Sequence, residues 1–424
     1  MREMKDSKIG WIGDIPISWN IARTKKFFKN HKDIVGDREE EYERLALTLN
    51  GVIKRAKDDS KGLQSESLST YQILNKDELV FKMIDLANVN TSRVGYSPFT
   101  GIVSPVYIIL NNEKYSRFAY YFFYSMWQRE IFNKLGNDGV RSALNASDML
   151  NLPFPDICEE EAKKIADFLD KKVLEIDNVI EKTKETIEDY KKYKQSIITE
   201  VVTKGLDKNI EMKDSGIDWI GKIPIECNIK KIKNLGTARN GLTYSPEDLC
   251  DESEGVLVLR SSNIQDGKLD FKDNVYVKKE IKEELFVNEN DILICSRNGS
   301  KNLIGKNALI SNNLKATFGA FMMIYRCDAN AKYLKYILDS EVFKYYLGTF
   351  LTSTINQLTY DNFANMKIVY NENEKEQEKI INYLDKKCNE INKLIESKEN
   401  IIEELEQYKK SLIYEYVTGK KQVI

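Results

Sequence analysis

The sequence predicts a mixed α/β (α+β) protein organised as an internal repeat, in which two α/β bodies are separated by two long coiled-coil-forming helices. Three observations predict this. One motif recurs after 208 residues, a second pair of motifs recurs after 215, and each half ends in a charged stretch with regularly spaced apolar residues. The predicted segments are 1–156 (first arm and body), 157–206 (first long helix), 207–371 (second arm and body) and 372–424 (second long helix).

The arms are the short repeated segments that begin each half. Residues 5–18 are KDSKIGWIGDIPIS and residues 213–226 are KDSGIDWIGKIPIE, so Trp11 and Trp219 occupy matching positions. Directly after the arms the match fails, because Cys227 stands where Trp19 stands in the first half. A cysteine cannot fill a site sized for an indole, so we expect a looser contact there.

The bodies contain short apolar runs bounded by Gly, Asn and Ser, which are typical of strands. These runs are 80–83, 103–110, 256–260, 291–296 and 318–326, while 115–135 and 331–347 are predicted to be helical. Both bodies end similarly, in LNASDMLNLP (144–153) and LTYDNFANMK (358–367). Matching ends around dissimilar bodies indicate one scaffold that presents two different surfaces.

Polar and basic residues cluster in predicted loops of both bodies, and we regard them as candidate DNA contacts. Paired donors and acceptors on Arg match guanine, and those on Asn or Gln match adenine. The candidates are Lys54, Arg55, Ser92, Arg93, Arg141, Ser142, Arg239, Arg260, Ser262, Asn263, Arg297, Asn298, Ser300, Lys301, Asn356 and Gln357.

The long helices are predicted from stretches without Gly or Pro whose apolar residues recur in alternating steps of four and three. IADFLDKK (165–172) matches IINYLDKK (380–387), and YKQSIITEVVT (193–203) matches YKKSLIYEYVT (408–418). Polar residues also occupy matched seam positions, Thr183 with Lys398 and Lys194 with Lys409. Each stretch of about 43 residues would be roughly 65 Å long. The helix-pairing seam comprises Leu169, Ile176, Ile180, Ile187, Ile197, Leu384, Ile391, Ile395, Ile402 and Leu412.

Such stripes predict that the two helices pair with each other. The seam leaves parallel and antiparallel pairing open; antiparallel pairing would place the bodies at opposite ends, related by a pseudo-twofold axis.

Composition limits the function classes. The net charge of −2 is unlike that of proteins that coat nucleic acid non-specifically, so DNA binding would need local basic loops or charge from partner subunits. Six scattered cysteines without a C-x-x-C pair argue against a zinc site and are typical of a reducing cytoplasm, where we expect the protein to be. No apolar run suggests a membrane span or a secretory signal.

The sequence contains none of the catalytic or cofactor-binding motifs that we looked for. It contains no G-x-G-x-x-G and no N-P-P-Y-type methyltransferase motif, and GSKNLIGKN (299–307) has the wrong glycine spacing for a phosphate loop. The single histidine, His31, lies in a charged stretch and is expected at the surface. We therefore expect no catalytic residue, no metal site and no cofactor in this chain.

The two arms, two bodies and two matched helices together resemble the specificity subunits of Type I restriction–modification systems, over essentially the whole chain. In the first body, NGVIKR (50–55) and GIVSPVY (101–107) resemble one class of target-recognition domain. In the second, LRSSNIQDG (259–267), NDILI (290–294) and IGK (304–306) resemble another.

The resemblance implies a function. Each body would read one half of a split, asymmetric site on double-stranded DNA, and the helices would fix the gap between the halves. Two methyltransferase subunits, which bind S-adenosylmethionine and methylate adenine, would dock on the frame. An ATP- and Mg-dependent restriction subunit would join them in systems that cut DNA.

Two other classes are open. A stand-alone methyltransferase or nuclease would bind S-adenosylmethionine or a metal by itself, and a coiled-coil adaptor would show no sequence preference on DNA. Within the family, a system that only methylates, or a silent cassette, would have the same sequence features.

Overall fold

The computed structural model describes residues 2–56, 68–86, 92–135, 143–350 and 356–423. The chain forms two compact units. One comprises Met1–Thr183 with Asn400–Ile424, and the other comprises Lys184–Glu399. Each unit contains one arm, one body and a part of each long helix, so both helices pass from one unit into the other. The four segments predicted from the sequence stay a prediction about domains.

The first half is a series of short strands and helices followed by one long helix. Its elements are β1 (Met4–Asp6), β2 (Asp14–Pro16), β3 (Asn20–Arg23), β4 (Lys29–His31), β5 (Arg44–Thr48), β6 (Gly51–Arg55), β7 (Gln72–Leu74), β8 (Leu79–Phe81), β9 (Val94–Tyr96), β10 (Gly101–Val103), β11 (Ile108–Asn111), α1 (Ser116–Gln128), α2 (Ile131–Leu135), α3 (Ala146–Asn151), β12 (Pro153–Asp156) and α4 (Glu159–Lys204).

The second half repeats this order. Its elements are β13 (Met212–Asp214), β14 (Lys222–Pro224), β15 (Cys227–Lys231), β16 (Gly236–Asn240), β17 (Leu249–Cys250), β18 (Val256–Leu259), β19 (Ile264–Gln265), β20 (Lys268–Leu269), β21 (Tyr276–Val277), β22 (Ile292–Cys295), β23 (Asn307–Leu309), β24 (Ala316–Phe318), β25 (Met322–Cys327), α5 (Ala331–Leu338), α6 (Glu341–Phe350), α7 (Tyr360–Asn365), β26 (Lys367–Asn371) and α8 (Glu374–Val417).

The two bodies share a strand order that their sequences do not reveal. One sheet of the first body has the order β4-β11-β8-β9, and one sheet of the second has the equivalent order β16-β25-β22-β23. The other sheet of each body contains a parallel pair, β5 with β10 and β18 with β24. Each body is closed by its last strand, which runs antiparallel to the strand after the arm. The internal repeat therefore includes the bodies.

Two predicted strands are each two strands. The runs 103–110 and 318–326 are interrupted by turns, between β10 and β11 and between β24 and β25. An apolar run does not show where the chain reverses, because a buried turn can be as apolar as a strand. The predicted helical segments 115–135 and 331–347 are helical, and each consists of two helices.

The long helices pair along the predicted seam. Nine of the ten seam residues are buried, from Leu169 at 0% exposure to Ile395 at 9%, and Ile402 is partly buried. In the first unit, the Lys409 amine donates to Asp177 Oδ1 at 2.5 Å. In the second unit, the Lys194 amine donates to Asn392 Oδ1 at 2.9 Å. In the first unit the Phe168 and Tyr416 rings also lie 4.4 Å apart between centroids, so earlier residues of α4 face later residues of α8 and the helices run antiparallel there.

Each arm is fastened to the end of a long helix by a lysine. The Lys420 amine, just after α8, donates to the carbonyl oxygens of Ile12 and Asp14 at 2.9 and 2.8 Å. The Lys204 amine, at the end of α4, donates to the matching carbonyls of Ile220, at 3.1 Å, and Lys222. The same pair of lysine-to-carbonyl hydrogen bonds therefore occurs once in each unit.

A tyrosine joins each body to a long helix. The Tyr121 hydroxyl of α1 donates to Asp170 Oδ1 at 2.6 Å, and the Tyr336 hydroxyl of α5 donates to Asp385 Oδ1 at 2.6 Å. Tyr336 and Asp385 each lie 215 residues after their counterparts Tyr121 and Asp170, so this contact is part of the repeat.

The Trp19–Cys227 difference changes the bonding at this position. The Trp19 ring is buried and its Nε1 donates to Glu161 Oε2 at 3.0 Å. Cys227 lies in a small apolar cluster with Ile220, Ile223 and Val369. Its thiol cannot donate in the same way, so the second unit lacks that bond to the long helix.

His31 is not the plain surface residue that the sequence suggested. It lies on β4 with its ring partly exposed, and its Nδ1 is 2.7 Å from Oε1 of the buried Glu78. Among the described residues, no group of three or more His, Cys, Asp or Glu side chains could hold a metal ion. Nor does any helix in those ranges have the length and apolarity needed to cross a membrane.

Candidate DNA-recognition loops of the two bodies

The sheet topology of the second body gathers its loops at one edge. β16 and β22 both run antiparallel to β25, so their carboxyl ends lie where β25 begins. β18 and β24 are parallel, so their carboxyl ends also lie together. The loops that follow these strands surround one cavity of about 610 Å³. Its lining includes Tyr244, Arg260, Ser262, Arg297, Asn298 and Phe321.

The loop after β18 contributes Arg260 and Ser262. The Arg260 guanidinium pairs with Asp273 Oδ2 at 2.9 Å and donates to the Asp273 carbonyl at 3.1 Å. Within the described residues, Arg260 Nε and Ser262 Oγ are enclosed and have no hydrogen-bond partner. An enclosed polar atom without a partner costs about 1–3 kcal/mol, so this loop retains unused hydrogen-bonding capacity.

Asn263 has a structural role, which corrects its interpretation as an exposed contact residue. It is 0% exposed, accepts the Arg260 backbone N–H at 2.9 Å and donates to the Asp270 carbonyl at 3.0 Å. These bonds close the loop on itself. Asn263 therefore positions Arg260 and is enclosed within the loop.

The loop after β22 contributes Arg297 and Asn298. The Arg297 guanidinium lies 5.3 Å from the ring centroid of Phe321, a cation–π distance. The Asn298 amide donates to Ser261 Oγ at 3.2 Å and thereby ties this loop to the loop after β18. Arg297 also pairs with Gln357 in an antiparallel bridge, and the Asn356 amide donates to the Gly299 carbonyl at 3.3 Å. Four of the predicted residues of the second body, Arg260, Ser262, Arg297 and Asn298, thus line one cavity.

The other candidates of the second body lie apart from this cavity. Arg239 lies on β16, where its guanidinium pairs with Glu284 at 3.3 Å. Ser300 and Lys301 are exposed, and Lys301 lines a different cavity with Lys306 and Lys344. The structure therefore does not bring these residues into the cluster around Phe321.

In the first body, Lys54 and Arg55 lie on a strand. The segment that was expected to be a loop is the hairpin of β5 and β6, in which Arg55 pairs with Arg44. The exposed Lys54 amine pairs with Glu43 and lies 5.2 Å from the Phe99 ring centroid. Arg141 and Ser142 are outside the described residues.

Ser92 and Arg93 are buried, so the expectation that they form an exposed basic loop is wrong. Arg93 is 1% exposed, and its guanidinium donates to the carbonyls of Ile84 at 2.9 Å and Asp85 at 2.6 Å. Ser92 Oγ donates to the Val94 carbonyl at 2.7 Å. Burial, together with the nearby Arg93 charge, lowers the pKa of Lys82. Arg93 therefore holds the loop after β8, and we leave both residues out of the proposed surface.

Sequence reasoning missed Phe321 and Tyr244. Phe321 is 59% exposed on the turn between β24 and β25, inside the run that was interpreted as one strand. The one available signal was the pair Gly319-Ala320, since Gly inside a strand pattern marks a break. Tyr244 follows β16 in a loop that carried no basic cluster.

The chain is similar to Type I specificity subunits by sequence. It is 33% identical over 109 residues to the EcoKI specificity subunit of Escherichia coli K12, an alignment that covers 25% of this chain and 24% of that protein. It is 28% identical over 142 residues to the StySPI specificity subunit of Salmonella potsdam, covering 33% of this chain and 29% of that protein. These two alignments span about a quarter of each relative.

A longer alignment exists with the MjaVIII specificity subunit of Methanocaldococcus jannaschii, at 24% identity over 356 residues, 80% of this chain and 79% of that protein. No protein-family model matches the chain.

The fold is that of a solved chain from a study of complex assembly and conformational transition of the type I R-M system. That chain has a TM-score of 0.69 and 14% identity, with 96% of this chain and 99% of the other covered. The chain is therefore similar in sequence to Type I restriction enzyme specificity subunits, and it shares the fold of this solved chain.

Proposed function

We propose that this chain is a non-catalytic specificity subunit that recognises a bipartite, asymmetric DNA site, with one half read by each body. The observation that carries the proposal is that two bodies with one strand order present different side chains at the same strand ends. After β18 the second body has Arg260 and Ser262, whereas after the equivalent β5 the first body has Leu49 and Asn50. One scaffold with two sets of contacts suits two different half-sites.

The side chains around the cavity of the second body suit DNA because their present partners are weakly held. Arg260 and Asp273 are 32% and 67% exposed, and an ion pair at such exposure contributes roughly 0–1 kcal/mol. A phosphate or a guanine edge can replace such a partner at small cost. Arg297 and Asn298 offer further paired donors and acceptors in the same place.

The low net charge makes partner subunits part of the proposal. At a net charge of −2, the chain supplies little long-range attraction for DNA. We therefore include two methyltransferase subunits, which bind S-adenosylmethionine and contact the repeated frame. In a system that cuts DNA, restriction subunits that use ATP and Mg would join them. The repeat of the frame supports two equivalent docking positions.

The long helices fix the gap between half-sites in this proposal. α4 has 46 residues and α8 has 44, and neither contains Gly or Pro. At 1.5 Å per residue, α4 is roughly 69 Å long. The buried seam and the Lys194 and Lys409 contacts oppose sliding of one helix along the other.

The first test is to co-express the chain with its neighbouring methyltransferase subunit and to map methylated adenines across the host genome. A single split motif with a constant gap is the expected result. An assembled complex that binds S-adenosylmethionine but yields no motif would point to an inactive cassette or to an adaptor.

Exchange of one body tests the modular assignment. Replacing residues 1–156 or 213–371 with the equivalent segment of another specificity subunit should change one half-site and leave the other. If both halves changed together, the assignment of one half-site to each body would be wrong.

Deletion of one heptad from both α4 and α8 tests the spacing role. It keeps the seam in phase while shortening each helix by roughly 10 Å. The gap should change or binding should be lost. An unchanged gap would contradict the spacing role.

A further inference from the structure

The turn between β24 and β25 in the second body holds an exposed aromatic ring on a fixed backbone. Phe321 is 59% exposed, and its carbonyl oxygen accepts three hydrogen bonds, each of 3.0 Å. The donors are the backbone N–H groups of Ser296 and Arg297 and the Ser296 hydroxyl. A ring held in this way loses little conformational freedom on contact with a ligand.

Arg297 covers one side of this ring, with its guanidinium 5.3 Å from the ring centroid. Phe321 as a whole is still more than half exposed. Aromatic rings and Arg planes are the groups on which proteins stack bases that have left a helix.

The walls of the cavity beside Phe321 are held together by close backbone and side-chain contacts. The Leu242 N–H donates to the Phe318 carbonyl at 2.7 Å, and a Cβ at Gly241 would lie 2.1 Å from that same oxygen. Only glycine permits this approach, which brings the loop carrying Tyr244 against the turn. The Asn298–Ser261 hydrogen bond joins two further walls. The cavity is therefore concave, polar at Arg260 and Ser262, and aromatic at Tyr244 and Phe321.

We propose that this cavity receives one nucleobase displaced from the DNA half-site read by the second body, stacked against Phe321 and held by the polar groups of the loop after β18. The inference deepens, and depends on, the proposed DNA-reading function. A flat contact in the major groove would need an exposed side chain but no cavity. A displaced base needs a rigid stacking ring, a concave space and hydrogen-bonding groups, all of which this loop cluster has.

The first body provides an internal control. At its equivalent turn, between β10 and β11, the exposed apolar residue is Val106, at 52% exposure. Valine has no face on which a base can stack. Base displacement by the chain itself is therefore expected in one half-site only.

The test uses the complex of this chain with its methyltransferase subunit, without S-adenosylmethionine, on duplexes of the mapped motif. 2-Aminopurine is placed at each position of the second half-site except the methylated adenine, which the methyltransferase itself can displace. We expect a several-fold rise in fluorescence at one position on binding. Phe321→Leu should abolish this rise and weaken specific binding about 5- to 150-fold, because base stacking on an aromatic ring is worth that much. The matched Val106→Leu variant should change neither.

Two results would overturn the inference while leaving the proposed function intact. One is specific binding without a fluorescence rise at any tested position. The other is a rise that persists in Phe321→Leu. A complex without sequence preference would instead refute the proposed function, and the inference with it.

Discussion

Arg93→Met tests whether this arginine supports the loop after β8 or contacts DNA. Methionine has a similar reach but no donors, so it would leave the carbonyls of Ile84 and Asp85, bonded at 2.9 and 2.6 Å, without their partner. A hydrogen bond to a charged group contributes about 1.5–3 kcal/mol. Because the freed carbonyls can partly turn to water, we expect the free energy of unfolding to fall by about 3 kcal/mol in total. For a unit of this size, that lowers the melting temperature by about 6–12 °C.

Two measurements on the complex separate the roles, namely thermal unfolding and the salt dependence of DNA binding. Loss of one phosphate contact reduces the slope of log K against log salt concentration by about 0.9, whereas loss of a buried structural bond does not change it. Lys54→Met is the matched control for stability, since Lys54 is exposed and pairs only at the surface, and its melting temperature should stay within about 2 °C. An unchanged melting temperature with a reduced slope for Arg93→Met would refute the structural role.

Two further predictions concern the frame. Leu384→Ala, at a seam position with 0% exposure, should lower the free energy of unfolding by about 3 kcal/mol, because apolar burial is lost and a cavity is left. The control Leu394→Ala, at 47% exposure, should lower it far less. Equal melting temperatures of the two variants would contradict the buried seam. Burial raises the pKa of the Cys227 thiol to about 11, so at pH 8 only about one thiol in a thousand is ionised. Iodoacetamide at that pH should therefore modify the exposed Cys158 well before Cys227, as followed by peptide mass spectrometry, and equal rates would show that Cys227 is accessible.

The frame could be predicted from the sequence because its signals are local. The heptad steps identify the seam of α4 and α8, and they predict burial at positions such as Leu169 and Leu384 correctly. The antiparallel direction could not be derived in this way, because both directions bury the same stripe. It depends on contacts such as that between Lys409 and Asp177, which are far apart in the sequence.

The candidate contacts were predicted less well because burial is a tertiary property. Arg93 and Arg297 both lie in polar, basic stretches. One is enclosed because carbonyls from the loop after β8 surround it, and the other is exposed on a cavity wall. Residue type alone does not distinguish these environments. Phe321 was missed for the opposite reason, since an apolar residue in an apolar run is expected to be buried.

This mixture of buried and exposed residues determines how the recognition loops can change. Substitutions at exposed positions away from special features usually alter stability by less than about 0.5 kcal/mol, so Arg297 or Phe321 can be replaced without loss of the fold. Asn263 in the second body and Arg93 in the first body also lie in loops of the candidate set, but each satisfies buried backbone groups, and replacing either removes several hydrogen bonds at once. Under the proposed function, a new specificity is therefore reached most readily by changing the exposed side chains while the buried polar residues hold the loop backbone in place. This separation explains physically how one scaffold, used twice in a chain, can present two different surfaces, as the proposed reading of two half-sites requires.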